Sequence, residues 1–162
     1  MYDFTIDGTL NADLSKVYEA FSRPEMIIKW CAPGNLSVSQ YHSRFAEGGQ
    51  YQLVLQSHDG FQQTVVGTFQ KIVPNVSLSY TWRWEDTNDI SKVELQFIQK
   101  TNGTTKVILS QKGFNREQDM LQQQYSWLAC FEKLAMVLKT QDVPMPSYIH
   151  HYVRDHKSFL QP

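Results

Sequence analysis

The segment VSLSYTWRWED at residues 76–86 constrains this chain more than any other. Every second residue is apolar, Val76, Leu78, Tyr80, Trp82 and Trp84, while Ser77, Ser79, Thr81, Arg83 and Glu85 fall between them. That is the period of a half-buried strand. Three successive aromatics on one face, at roughly 150–250 Å² each and about 25 cal/mol per Å², represent on the order of 10–15 kcal/mol of gross burial. Such a face requires a cover, whether protein, ligand or partner.

The rest of the pattern supplies one. YDFTIDGTL alternates Tyr2, Phe4 and Ile6 and is predicted to be a first strand. Leu14, Val17, Tyr18 and Phe21 share one helical face. Ser22, Pro24 and Glu25 predict a capping-box start for a second short helix with Met26 and Trp30 on one side, ended by CAPGN. From about 36 to 112, the alternating sets Tyr51/Leu53/Leu55, Val93/Leu95/Phe97 and Val107/Leu109 are separated by EGG, HDG, VPN and TNG. Short turns between consecutive strands predict an antiparallel meander. The longest helical period runs over 117–139, with Met120, Trp127, Phe131, Leu134 and Leu138 on one face. At 1.5 Å per residue this helix is roughly 30 Å long and can cross most of a sheet. The economical arrangement is an α+β domain in which a curved antiparallel sheet wraps around that helix, the aromatic strand facing it.

With 162 residues, 41% of them hydrophobic, one domain can build one core, and no second globular unit is expected. Fifteen basic against sixteen acidic residues give a net charge of −1, which argues against a nucleic-acid partner. The N-terminus has neither the basic start nor the apolar run of a secretory signal, and no apolar stretch is long enough to span a bilayer. The expected protein is cytoplasmic. Cys31 and Cys130 are far apart and read as small buried hydrophobes, so no metal and no cofactor are expected. His42, Glu47, Glu94 and Asp119 are the residues an enzyme would have to use; each reads better as a solvated strand or turn charge. Phosphate-loop and nucleophile-elbow motifs are missing. Arg83 and Glu85 read as cross-strand surface charges.

Residues 141–162 form a separate tail after the domain at 1–140: Pro144 and Pro146 mark a linker, and Ile149, Tyr152, Val153, His156 and Leu160 predict an amphipathic helix. Packing on its own domain and exchange within a homodimer are the two expected uses of this helix. His151 and Asp155, one turn apart, are two ligands without a third.

The order strand, two short helices, meander and long helix resembles the helix-grip fold of the START-like superfamily, which includes the birch pollen allergens. KWCAP at 29–33, FAEGGQY at 45–51, VVGTFQKIVPNVSLSYTW at 65–82, VELQFIQKTNGTTKVILSQKGF at 93–114 and SWLACFEKLAMVL at 126–138 together resemble homologues of the activator of the ninety-kilodalton heat-shock chaperone's ATPase. Cys31, where the family often has an aromatic residue, and Ser126, where it usually has glycine, depart from that pattern. The resemblance implies an apolar cavity between the long helix and the sheet, and contact with a molecular chaperone. In the eukaryotic activator an N-terminal domain precedes this one and supplies most of the stimulation; 162 residues leave no room for it, so full activator function is not expected.

The expected function is therefore binding of an apolar, aromatic or lipid-like small molecule without catalysis. The candidate ligand-binding residues are Trp30, Tyr51, Leu53, Phe69, Tyr80, Trp82, Trp84, Phe97, Leu109, Trp127 and Phe131. The alternatives are a chaperone-associated interaction module and a cyclase-like or hydrolytic enzyme using cavity residues.

Overall fold

The computed structural model describes residues 1–139 and 149–153. Strand β1 (Tyr2–Leu10) is followed by α1 (Leu14–Ser22) and α2 (Pro24–Trp30). Six strands come next: β2 (Ser37–Ser43), β3 (Gln50–Gln56), β4 (Gln62–Val73), β5 (Ser77–Trp84), β6 (Ser91–Gln99) and β7 (Thr105–Phe114). Helix α3 (Glu117–Val137) and a short strand β8 (Ile149–Val153) complete it. All strands join one antiparallel sheet in the order β2-β3-β4-β5-β6-β7-β1-β8. The meander arises as expected because its turns are local: Asn75 and Asn102 take the positive φ that tight turns demand, at 63° and 86°.

Helix α3 lies against β1, β7 and α2. Toward β3, β4 and β5 large side chains border the space between helix and sheet instead. Strand β5 buries Leu78 and packs the half-buried Tyr80, Trp82 and Trp84 against the core, while on its other face Ser79 is buried as well and Thr81 and Arg83 are half-buried. Val76 falls outside the strand and is exposed, because its amide closes the turn onto the Val73 carbonyl. No helix among the described residues is long and apolar enough to cross a membrane.

Three local expectations are corrected. Ser22 does not open α2; it ends α1, donating its hydroxyl to the Tyr18 carbonyl at 2.9 Å, and Arg23 is the N-cap of a helix that starts at Pro24. Arg83 and Glu85 form no ion pair: the Arg83 Nη1 donates instead to the carbonyls of Glu85 at 3.1 Å and Thr87 at 2.8 Å. Residues 149–153, predicted to be helical, form strand β8 on the β1 edge, with Ile6 opposite His151. Ile149, Tyr152 and Val153 are strong strand formers, and an open sheet edge supplies the backbone partners that an isolated helix lacks. The remainder of the tail, including the helical period as far as Leu160, lies outside the described residues.

The buried face of α3 contains two polar residues besides the expected apolar ones, Gln123 and Gln124. Gln124 is fully buried, and neither its amide nitrogen nor its oxygen has a partner among the described residues. An unpaired buried amide carries its full desolvation cost. Gln124→Leu is therefore expected to stabilise the fold by about 1–2 kcal/mol, visible as a higher midpoint in urea denaturation; a lowered midpoint would contradict this reading.

Candidate ligand-binding site

Seven of the eleven candidates, Trp30, Tyr51, Leu53, Phe69, Tyr80, Trp82 and Trp127, surround one cavity of about 60 Å³, together with Phe21, Ile27, Cys31 and Tyr41. A second chamber of about 130 Å³ shares Cys31, Leu53, Trp82 and Trp127 with the first and adds Trp84, Leu36, Leu55, Val65 and Cys130 among its walls. Phe97, Leu109 and Phe131 line neither chamber. They are core: Phe97 packs edge-on to Tyr18 and Phe21 at 5.3 and 5.4 Å, Phe131 stacks on Trp30 at 6.5 Å, and Leu109 is fully buried in β7.

The polar tips of Trp30, Tyr51 and Trp127 are occupied by the protein itself. Trp30 donates to the Ala20 carbonyl at 2.9 Å, tying α2 to α1. Trp127 donates to Gln111 Oε1 at 2.8 Å, and the Gln111 amide donates in turn to Ser91 Oγ at 2.8 Å. Tyr51 donates to the Thr81 carbonyl at 2.7 Å. Among the described residues the Tyr80 hydroxyl, like the indole N–H of Trp82 and of Trp84, makes no such bond. The Tyr80 ring is held edge-on against Tyr51 at 5.4 Å and Phe69 at 6.0 Å. Burial raises the phenols of Tyr51 and Tyr80 well above their ordinary value, so both stay protonated. The first chamber thus offers apolar walls with the neutral Tyr80 hydroxyl and the Trp82 indole N–H as polar tips.

Cys31 borders both chambers and Cys130 the second, and burial is again the leading effect. The Cys31 thiol is pushed up to about 12 despite the opposing pull of the Lys133 ammonium, and Cys130 is raised as well. A thiol this resistant to ionisation is a poor nucleophile. Lys133 instead clamps the loop after α2, donating to the carbonyls of Ala32 at 2.5 Å and Leu36 at 3.0 Å. Folding raises the pKa of Cys31 from 9.0 and of Tyr41 from 10.0, both to about 12, so the native state holds these protons more tightly. Their contribution to stability is complete below pH 9.0 and is lost as pH rises toward 12. Guanidinium midpoints measured from about pH 8 to 11 are expected to fall progressively above the lower value; a rising midpoint would contradict the burial of these groups.

The residues weighed as catalytic lie elsewhere. Glu47 accepts from the Ile72 amide at 3.0 Å, Glu94 bridges Lys92 and Lys112, and Asp119 pairs with Arg116. His42 lies on the outer face of the sheet, opposite Gln52. None of the four lines either inner chamber. Among the described residues no group of three His, Cys, Asp or Glu side chains could hold a metal ion. Sequence reasoning missed Phe21, Ile27 and Tyr41 as cavity walls. Phe21 and Ile27 sit on short helices whose apolar faces gave no sign of which side borders a void.

An antiparallel sheet gripping a C-terminal helix, with an aromatic-lined hollow between them, defines a START-like helix-grip protein. Residues 11–139 match the family of Activator of Hsp90 ATPase homolog 1-like proteins, and the chain belongs to that family. No curated protein matches the chain. Among solved structures, a protein from Chromobacterium violaceum superposes with a TM-score of 0.76 at 19% identity, covering 86% of this chain and 98% of that one. An AHSA1 protein from Silicibacter pomeroyi gives 0.75 at 21% identity, covering 84% and 96%. The CalU16 protein from Micromonospora echinospora gives 0.65 at 20% identity, covering 86% and 77%. At these identities the likeness is one of fold.

Proposed function

We propose that this protein is a cytoplasmic, non-enzymatic binding protein that holds a small neutral apolar or aromatic molecule between α3 and the sheet. The observation that carries this reading is the pair of chambers, about 60 and 130 Å³, with four walls in common. Close-packed interiors rarely leave voids larger than a water, and an apolar cavity on the order of 150 Å³ is enough to take up benzene. The volume favours a single ring over a long acyl chain, since pockets for larger ligands run to roughly 300–1,000 Å³. Tyr80 supplies a neutral hydroxyl for one polar substituent.

Tryptophan-fluorescence titration with toluene, indole and decanoate tests this. Saturable binding of the two aromatics is expected, because Trp82 and Trp127 form the shared wall. Leu53, which borders both chambers, can be enlarged into the void: Leu53→Trp is expected to weaken aromatic binding at least tenfold while circular dichroism retains the fold. Equal affinity in the variant would sink the assignment. The family description favours a second reading, a chaperone-associated interaction module. Absence of both co-precipitation with the ninety-kilodalton chaperone and any change in its ATPase rate would exclude it.

A further inference from the structure

A concavity of about 650 Å³ lies on the opposite face of the sheet from α3. We propose that it is a second binding site, for a small molecule bearing carboxylate or phosphate oxygens. Its geometry follows from strand register. His42 of β2, Gln52 of β3, Val66 of β4 and Arg83 of β5 are successive cross-strand neighbours and form one row. A second row runs beside it: the Arg44 amide donates to the Gln50 carbonyl, Gln50 is paired with Thr68, and the Thr68 amide donates to Thr81 Oγ1 at 2.9 Å. Two neighbouring rows thus present side-chain amides and hydroxyls, with guanidinium groups at the margins.

Neither guanidinium is neutralised. Among the described residues the ion pairs involve Arg23, Lys92, Lys112 and Arg116, and none involves Arg44 or Arg83. Arg83 is nevertheless held in place, because its Nη1 donates to loop carbonyls at 2.8 to 3.4 Å, leaving Nε and Nη2 free to donate. A fixed guanidinium with spare donors matches the paired oxygens of a carboxylate or phosphate. The volume lies within the range of small-molecule sites. Glu85 is the carboxylate in the lining and opposes such a ligand, which makes it a useful control.

The test is a ¹H–¹⁵N NMR titration of the full chain at low ionic strength with citrate, inorganic phosphate and a hexaglutamate peptide. Saturable shifts confined to the amides of Gln50, Gln52 and Thr68 are expected with citrate or phosphate. Arg44→Gln and Arg83→Gln should each weaken binding at least fivefold, Glu85→Gln should tighten it at least twofold, and Lys29→Gln on α2 should leave it unchanged. Arg44 is exposed and pairs with nothing through its side chain, so its variant remains informative if loss of the Arg83 loop contacts unfolds the other. Unsaturable shifts spread over the surface, or unchanged affinity in Arg44→Gln, would identify an adventitious ion only and overturn the site. Hexaglutamate binding at least tenfold tighter than either small anion would overturn the small-molecule assignment in favour of peptide docking.

Discussion

Gly67→Ala is expected to destabilise the protein by about 2–3 kcal/mol, the upper part of the range for overpacking, because the atoms it meets cannot move aside. Gly67 lies in the middle of β4, where a residue with a side chain would ordinarily be preferred. A methyl group built on it would sit 2.0 Å from the Thr81 carbonyl oxygen and 2.5 Å from Cε2 of Tyr51. The first of these atoms is backbone. The β4–β5 pairing is interrupted at this point: Val66 pairs with Arg83 and Phe69 with Tyr80, while Gly67 and Thr68 take no partner on β5. Side chains replace the missing contacts, Tyr51 donating to the Thr81 carbonyl and Thr81 Oγ1 accepting from the Thr68 amide. Alanine would push Thr81 and Tyr51 apart and deform the wall shared by the inner chamber and the outer cleft. Gly48→Ala provides the contrast. Its Cβ would meet nothing within 4 Å, and only the positive φ of 84° would cost stability, about 1–2 kcal/mol. Urea denaturation of the two variants checks the order; equal losses would show that close approach at Gly67 is unimportant.

Gln111→Leu is expected to cost about 2–4 kcal/mol despite replacing a polar core residue with an apolar one of similar size. Gln111 is fully buried, accepts the Trp127 indole N–H and donates to Ser91 Oγ. Leucine would leave the indole donor buried without a partner and free α3 from its polar tie to β7. Gln124→Leu is expected to move stability the other way, because Gln124 has no partner to abandon. Opposite signs for two Gln→Leu changes in one core would separate hydrogen bonding from hydrophobicity. Two losses of similar size would show that Gln124 is satisfied in solution.

Much of this was legible in the sequence where a local rule had no competitor. Leu78, Tyr80, Trp82 and Trp84 alternate with Ser77, Ser79, Thr81 and Arg83, and a strand is the one backbone that puts the first set on a single face. The face of α3 was equally plain from Met120, Trp127, Phe131 and Leu134. The split within the aromatic set was not legible. Phe131 and Trp127 share a helix face, yet Trp127 borders both chambers and Phe131 neither, because the helix approaches β1, β7 and α2 closely and leaves its space toward β3–β5. Pattern identifies which side chains leave water, whereas a void depends on the distances between elements. Residues 149–153 illustrate a second limit. Ile149, Tyr152 and Val153 satisfy a helical spacing and a strand composition equally, and the open β1 edge decides between them. The outer cleft escaped notice for a third reason: His42, Gln52 and Arg83 are remote in sequence and meet only through register.

The most direct measurement is native mass spectrometry of the protein equilibrated with toluene or indole, beside Leu53→Trp under the same conditions. A single adduct of one aromatic molecule per chain, lost on denaturation and absent from the variant, is the expected result. No adduct, or adducts of equal stoichiometry in both proteins, would contradict a binding cavity between α3 and the sheet.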